Sequence, residues 1–289
     1  MYKRVLVPLD GSKLAEQILP YARAFAQAFD IPVELLRVND PDVIAAYSLP
    51  LQGGEYLKAV SARYFPSSLQ VNHTIELGKA AEVIVVRADA EPGCLIAMAT
   101  HGLSGLQRWL LGSVASKVVQ SATHPLLLVR PARDHDPAKP VELKTVFVPL
   151  DGSGLAEKIL PHVTDLARKM RLAVHLARVY SFPPESYIVG DGLYMDVLTR
   201  QRTEIQQQAE SYLDGKVQEL RFEGLDDVLS TALEGDAAGE IIDLARKTPD
   251  NLIAMSTHGR SGVGRWILGS VTEKVIQHSH DPVLVIRPS

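Results

Sequence analysis

Two stretches of the chain carry residues whose types and spacing could hold a phosphate. Ala99 to Ser113 reads ATHGLSGLQRWLLGS, and Ser256 to Ser270 reads STHGRSGVGRWILGS. Each follows a short apolar run, CLIAMA or NLIAMS, and each precedes a helical-looking segment, SVASKVVQSA or SVTEKVIQHS. A buried strand, a glycine-rich loop and a helix start together make an anion cradle. Glycine permits positive φ and close backbone approach, and the first N–H groups of a helix have no acceptor within it. Gly102 and Gly105 would turn the first loop's N–H groups toward a phosphate, and Gly112, Ser113 and Val114 would open the helix. Gly259, Gly262, Gly269, Ser270, Val271 and Thr272 stand at the matching places of the second copy. A purely structural reading competes. Ser270 to Glu273 has the S-x-x-E spacing of a capping box, which satisfies those N–H groups without a ligand. The first copy has Ser116 there and lacks the box. His101 and His258 have no second ligand at metal spacing and read as loop hydrogen-bonders. Arg108 and Arg265 either reach phosphates or lie exposed at a helix edge.

The elements that must position these loops follow from the apolar pattern. Lys3 to Leu9 is an apolar run with β-branched residues, as expected of a strand buried on both faces. It ends in Asp10-Gly11-Ser12, where Ser12 can cap the next helix. Leu14, Ala15, Ile18, Leu19, Ala22, Phe25 and Phe29 keep helical spacing; Pro20 falls inside that pattern and predicts one kinked helix. Strands are expected at Val33 to Val38, Leu69 to Ile75, Cys94 to Ala99 and Leu126 to Val129. Helices are expected at about Glu55 to Phe65, Gly78 to Arg87 and Val114 to Ala122. Pro125 at the start of the last run points to an edge strand.

Pro131 to Leu143 then reads as a linker, with three prolines and mixed charge. After it the pattern restarts. VFVPLDGSGLAEKILP (Val146 to Pro161) repeats VLVPLDGSKLAEQILP (Val5 to Pro20) 141 positions on. From Gly78 and Gly235 onward the spacing is 157, so the second half holds 16 extra residues after its second strand. A long helix, about Tyr194 to Phe222, fills that interval, with Ile205, Ala209, Tyr212, Leu213, Val217 and Leu220 as its apolar stripe. Each half alternates strand and helix, which implies a parallel sheet with helices on both faces. The fold class is therefore α/β, with two tandem open five-stranded sheets of strand order 3-2-1-4-5 related by a pseudo-twofold. The domains run over residues 1–133 and 144–289.

Composition narrows the function. The chain has 289 residues, 46% hydrophobic and 22% charged, so it can bury a core. A net charge of −4 gives no support to nucleic-acid or membrane-surface binding, and no apolar run approaches a membrane span. The start MYKRVLVPLDGS carries no signal-peptide core, and the single cysteine, Cys94, fits a reducing compartment, so a cytoplasmic location is expected. Cys94 opens an apolar run and reads as a buried inert thiol.

In open α/β sheets, ligands bind at the carboxyl ends of strands where the winding reverses. That switch lies between strands one and four. It brings Pro8, Leu9 and Asp10 next to Met98 and Ala99, and Pro149, Leu150 and Asp151 next to Met255 and Ser256.

The two halves resemble universal stress protein domains, and the whole resembles a tandem member of that family. The marks are VPLDGS near each start, MATHG or MSTHG after strand four, GSV-x-x-K-V in the last helix, and HPLLLVRP or DPVLVIRP at each end. The resemblance implies an ATP site, with Mg²⁺ allowed beside the phosphates. ATP-binding members carry G-x2-G-x9-G-[ST]. Gly102, Gly112 and Ser113 match its last elements, as do Gly259, Gly269 and Ser270, while Ala99 and Ser256 replace its first glycine. It also implies that Asp10 and Asp151 contact ribose or adenine, that Val38 and Val179 lie at the adenine, and that Thr272 offers a hydroxyl near the phosphates. Ala115 cannot do the same. From the residues alone, the aspartates are equally turn hydrogen-bonders or companions of a divalent cation, and the valines are ordinary core.

Each half ends in a short apolar strand that invites pairing. Pairing the two final strands antiparallel within one chain is expected, and a further homodimer is allowed. Three functions compete: a nucleotide-binding stress or regulatory protein with little turnover, a slow ATP hydrolase or related enzyme, and a ligand-free interaction protein. The G-x4-GK[ST] lysine and the HxGH and SGGxDS loops of adenine-nucleotide enzymes are absent.

Overall fold

The computed structural model describes residues 1–41, 53–102, 111–132, 137–182, 192–257 and 268–288. The strands of the first half are β1 (Arg4–Pro8), β2 (Val33–Asn39), β3 (Val71–Leu77), β4 (Cys94–Ala99) and β5 (Leu126–Val129). Those of the second half are β6 (Thr145–Pro149), β7 (Ala173–Tyr180), β8 (Val228–Glu234), β9 (Asn251–Ser256) and β10 (Val283–Ile286). All ten form one sheet in the order β3-β2-β1-β4-β5-β10-β9-β6-β7-β8. Within each half the strands are parallel and ordered as expected; only the seam between β5 and β10 is antiparallel. The order reads alike from either edge, and the seam register is self-symmetric. Leu127 faces its own repeat Leu284, with Leu126 opposite Val285 and Leu128 opposite Val283.

Pro125 does not mark an exposed edge, because β10 occupies that side. The proline's carbonyl still accepts from Ile96 N at 3.0 Å, so the missing N–H costs the sheet nothing at that point. The third strand begins two residues later than its apolar pattern suggested. Leu69 instead closes a turn, its N–H donating to Pro66 O at 3.0 Å.

Helices cover both faces. The first face carries α1 (Leu19–Phe29), α2 (Gly54–Tyr64), α6 (Leu160–Met170) and α7 (Gly192–Phe222). The other carries α3 (Ala80–Asp89), α4 (Ser113–Ser121), α8 (Ala237–Lys247) and α9 (Ser270–His278). Period-two alternation sorts strand residues between the two cores: Val5 and Val7 join the first, Leu6 the second. The expected kinked helix is two helical pieces end to end. A 3₁₀ turn at Ala15–Ile18 runs into α1, and in the second half α5 (Gly154–Glu157) precedes α6. Pro20 and Pro161 fall in the first turn of the second piece, where a residue without an N–H loses no helical bond.

The halves are also tied by side chains. Arg130, just after β5, donates to Gln277 O in the last turn of α9 at 2.5 Å; its repeat Arg287 donates to Gln120 O in the last turn of α4 at 2.6 Å. Tyr2 and His162 share a 2.9 Å hydrogen bond from Tyr2 Oη to His162 Nδ1. No described helix is long and apolar enough to cross a membrane.

Candidate functional site

Strand β1 ends in a turn built by one carboxylate. Asp10 Oδ1 accepts from Ser12 N at 2.9 Å and from Ser12 Oγ at 2.6 Å, and Ser12 Oγ in turn accepts from Ala15 N at 3.1 Å. Gly11 has φ 85, the left-handed geometry that favours glycine. Asp151, Gly152 (φ 84) and Ser153 repeat the arrangement, with bonds of 2.9, 2.6 and 3.2 Å. Ser153 thus caps α5 as its position predicts, while Ser12 makes the same bond to Ala15 N but the 3₁₀ turn there has Leu14 as its N-cap.

Beyond β4 the chain turns back on itself. Thr100 N donates to Val129 O at 2.8 Å, and Gly112 N donates to Thr100 O at 2.9 Å. Thr257, Ile286 and Gly269 do the same at 2.8 and 2.8 Å. These bonds place the starts of α4 and α9 beside the ends of β4 and β9. His101 is buried, with Nδ1 3.0 Å from Thr100 Oγ1, and so belongs to the loop's own hydrogen bonding. His258, Gly105, Gly259, Gly262, Arg108 and Arg265 lie outside the described residues.

Two expectations need correction. Gly102 does not adopt positive φ. Its need for glycine is steric: a Cβ there would lie 1.9 Å from Asp10 Oδ2. The capping box at Ser270 is not formed. Gly269 is the N-cap, Ser270 is already the first helical residue, and Glu273 accepts from Gln277 at 3.1 Å instead. The box needs its serine outside the helix, and here the backbone turns one residue earlier. Both helices therefore begin without a side-chain cap.

Each half holds one cavity at this point. The first has a volume of about 330 Å³ and the second about 210 Å³. Pro8, Leu9, Asp10, Val38, Met98, Ala99, Gly102, Gly112, Ser113 and Val114 all line the first. Pro149, Leu150, Asp151, Val179, Met255, Ser256, Gly269, Ser270, Val271 and Thr272 all line the second. The expected residues thus converge wherever they are described. Thr272 lines its cavity, but its hydroxyl donates to Ser256 O at 3.0 Å and is buried. Ala115 stands at that place in the first half.

Sequence reasoning missed a cluster beside each cavity. Arg37 lines the first cavity; Tyr56 Oη donates to Glu16 Oε1 at 3.3 Å beneath it. In the second half, Tyr212 Oη donates to Glu157 Oε1 at 2.8 Å, Lys216 pairs with Glu157 at 3.0 Å, and the Arg178 guanidinium lies 4.6 Å over the Tyr212 ring. Burial raises both tyrosine pKa values, and the adjacent glutamates add to it, so both hydroxyls stay protonated. The available signal was an arginine late in the second strand, repeated 141 positions on as Arg37 and Arg178.

The geometry recurs in known proteins. The model of the universal stress protein family matches residues 1–130 and again 142–287. The chain belongs to the universal stress protein family. A family member from Methanocaldococcus jannaschii is 31% identical over 144 residues, covering 50% of this chain and 82% of that one. One from Mycolicibacterium smegmatis is 24% identical over 309 residues and spans 98% of this chain and 97% of its own. Among solved structures, a functionally unknown protein from Pseudomonas aeruginosa superposes with TM-score 0.70 at 17% identity, over 99% of this chain and 93% of that one. A universal stress protein from Archaeoglobus fulgidus gives TM-score 0.66 at 19% identity, over 99% and 96%. These likenesses establish the tandem fold.

Proposed function

We propose that the chain is a stress-response or regulatory protein that binds an adenine nucleotide, ATP foremost, in these crevices and turns it over slowly or not at all. The observation that carries this reading is the paired helix starts. In each half a nine-residue helix, Ser113–Ser121 or Ser270–His278, opens without a side-chain cap on a cavity. Its free N–H groups and dipole favour an anion there. The lining between strands one, two and four is apolar apart from a few polar groups, as suits a base and ribose. Val38 and Val179 would lie at the base, and Asp10 and Asp151 at the base or ribose. The groups nearest the loop that could act as a general base are already engaged: Asp10 Oδ1 by Ser12, and His101 by Thr100. Among the described residues no group of three His, Cys, Asp or Glu could hold a metal, so Mg²⁺ would enter with the phosphates.

Mass spectrometry of small molecules released by heating freshly purified protein tests the proposal. A stoichiometric adenine nucleotide is the expected result. Protein that carries none and takes up none on incubation with millimolar ATP would favour the interaction-protein reading. Phosphate release at ordinary enzyme rates would favour an enzyme.

A further inference from the structure

The two cavities are not chemically equal, and the difference centres on one arginine. Arg37 projects from β2 into the first cavity's wall. A guanidinium has five N–H donors. Among the described residues Nη1 makes one long hydrogen bond, 3.4 Å to Leu9 O, and Nε is buried with no hydrogen-bond partner. Nη1 sits 3.1 Å from where a Cβ on Gly11 would be, so a side chain there would crowd the guanidinium. An unpaired buried donor is unfavourable, and its natural remedy is a ligand acceptor in the adjoining space. Arg4, at the other end of the strands, likewise has a buried Nε without a hydrogen-bond partner, but its Nη groups are spent on Glu34 and on two carbonyl oxygens and it lines no part of the cavity, whereas Arg37 does.

In the second half the equivalent arginine is withdrawn. Arg178 stacks 4.6 Å over Tyr212 on α7 and does not line the cavity. Tyr212 is itself pinned by Glu157, which Lys216 neutralises. Tyr180 stands at the repeat position of Asn39 but does not line the second cavity, which is smaller, about 210 against about 330 Å³. The arginine thus stands in the wall of one cavity and outside that of the other.

We propose that Arg37 recognises the base of the bound nucleotide and makes the first half the tighter of two unequal sites. This rests on the nucleotide reading above. Within it, phosphate belongs at the α4 start beside β4. Arg37 is on β2, two strands away, which is on the order of 10 Å. That is the base end. A planar guanidinium there can stack on a base and donate to its ring nitrogens, which a lysine cannot imitate.

The test is calorimetric titration of the full chain with ATP and, separately, with inorganic tripolyphosphate. The unsubstituted protein should bind ATP in two phases. Arg37→Gln should weaken the tight phase roughly tenfold or more while leaving tripolyphosphate affinity unchanged, and Arg37→Lys should not restore it. Arg178→Gln should leave the tight phase as it was. Tyr212→Leu, which removes the ring that Arg178 stacks on, should tighten the weak phase. A tripolyphosphate loss equal to the ATP loss in Arg37→Gln would show a structural or purely charge-based role and overturn the inference, as would rescue by lysine. Two equal phases, an equal effect of Arg178→Gln, or an unmoved weak phase in Tyr212→Leu would also overturn it while leaving the nucleotide reading intact. No binding of ATP by the unsubstituted protein would overturn both.

Discussion

Gly102→Ala tests the packing of the site in one methyl group. The added Cβ would lie 1.9 Å from Asp10 Oδ2 and 2.9 Å from Asp10 Cγ. Neither distance is tolerable, so the carboxylate or the backbone must move by more than an ångström. Asp10 cannot swing freely, because its other oxygen holds Ser12 N at 2.9 Å and Ser12 Oγ at 2.6 Å. Overpacking of this kind costs about 1–3 kcal/mol, and losing a hydrogen bond to a charged group costs about 1.5–3 kcal/mol. A destabilisation of about 2–4 kcal/mol is expected, read as a lowered urea midpoint at unchanged slope. Removing the carboxylate removes the clash. In an Asp10→Ala background the same Gly102→Ala change should therefore cost less than about 1 kcal/mol, giving a coupling energy well above 1 kcal/mol in the double-mutant cycle. A single variant within about 0.5 kcal/mol of the parent, or an equal cost in both backgrounds, would refute the reasoning.

Other expectations follow from the seam and the buried polar groups. Arg130→Ala should lower stability by about 1–2 kcal/mol in urea denaturation, because it strands a helix-end carbonyl. Arg287→Ala should cost less, since its bond is exposed where that of Arg130 is half-buried. His162 and His175 both have pKa values lowered by burial, so the unfolded chain binds protons more readily than the folded one. Their contribution is complete above the ordinary histidine value of about 6.5 and is lost as pH falls below it. Urea midpoints should drop between pH 7.5 and 5.5, and the drop should shrink in His175→Val. Cutting the chain within 133–141, at an inserted protease site, should leave two halves that co-elute through the β5–β10 pairing; two separate monomeric peaks would contradict the seam's importance.

Much of this architecture was readable because duplication writes the same pattern twice. Continuous apolar runs such as Val5–Val7 and Leu95–Ala97 mark strands covered on both faces, and the restart at Val146 fixes the second half. The antiparallel seam was legible from the short, uncharged runs Leu126–Val129 and Val283–Ile286. What failed depended on single backbone angles. The S-x-x-E pattern at Ser270 matches a capping box, yet whether serine sits outside or inside the first turn is decided by Gly269. Gly102 looked like a positive-φ hinge, but its constraint comes from Asp10, 92 positions earlier in the chain. The Arg37–Glu16–Tyr56 and Arg178–Glu157–Tyr212 groups escaped notice because each joins a strand, a helical turn and a helix far apart in sequence. Only the fold makes them neighbours. The same is true of the buried ionic network of Arg4, Glu34, Arg87 and Thr74, whose place in the second half is taken by neutral His175 bonded to Thr231 at 2.8 Å.

The central claim is that the uncapped starts of α4 and α9 hold a nucleotide's phosphates. A titration of the full chain with ATP, repeated on Gly112→Val and Gly269→Val, addresses it directly. A Cβ at Gly112 would already lie 3.0 Å from Thr100 O, so valine must displace the helix start. Saturable binding by the parent, with one phase lost in each variant, is the predicted result. Heat changes identical in parent and variants, or no saturable binding at all, would contradict it.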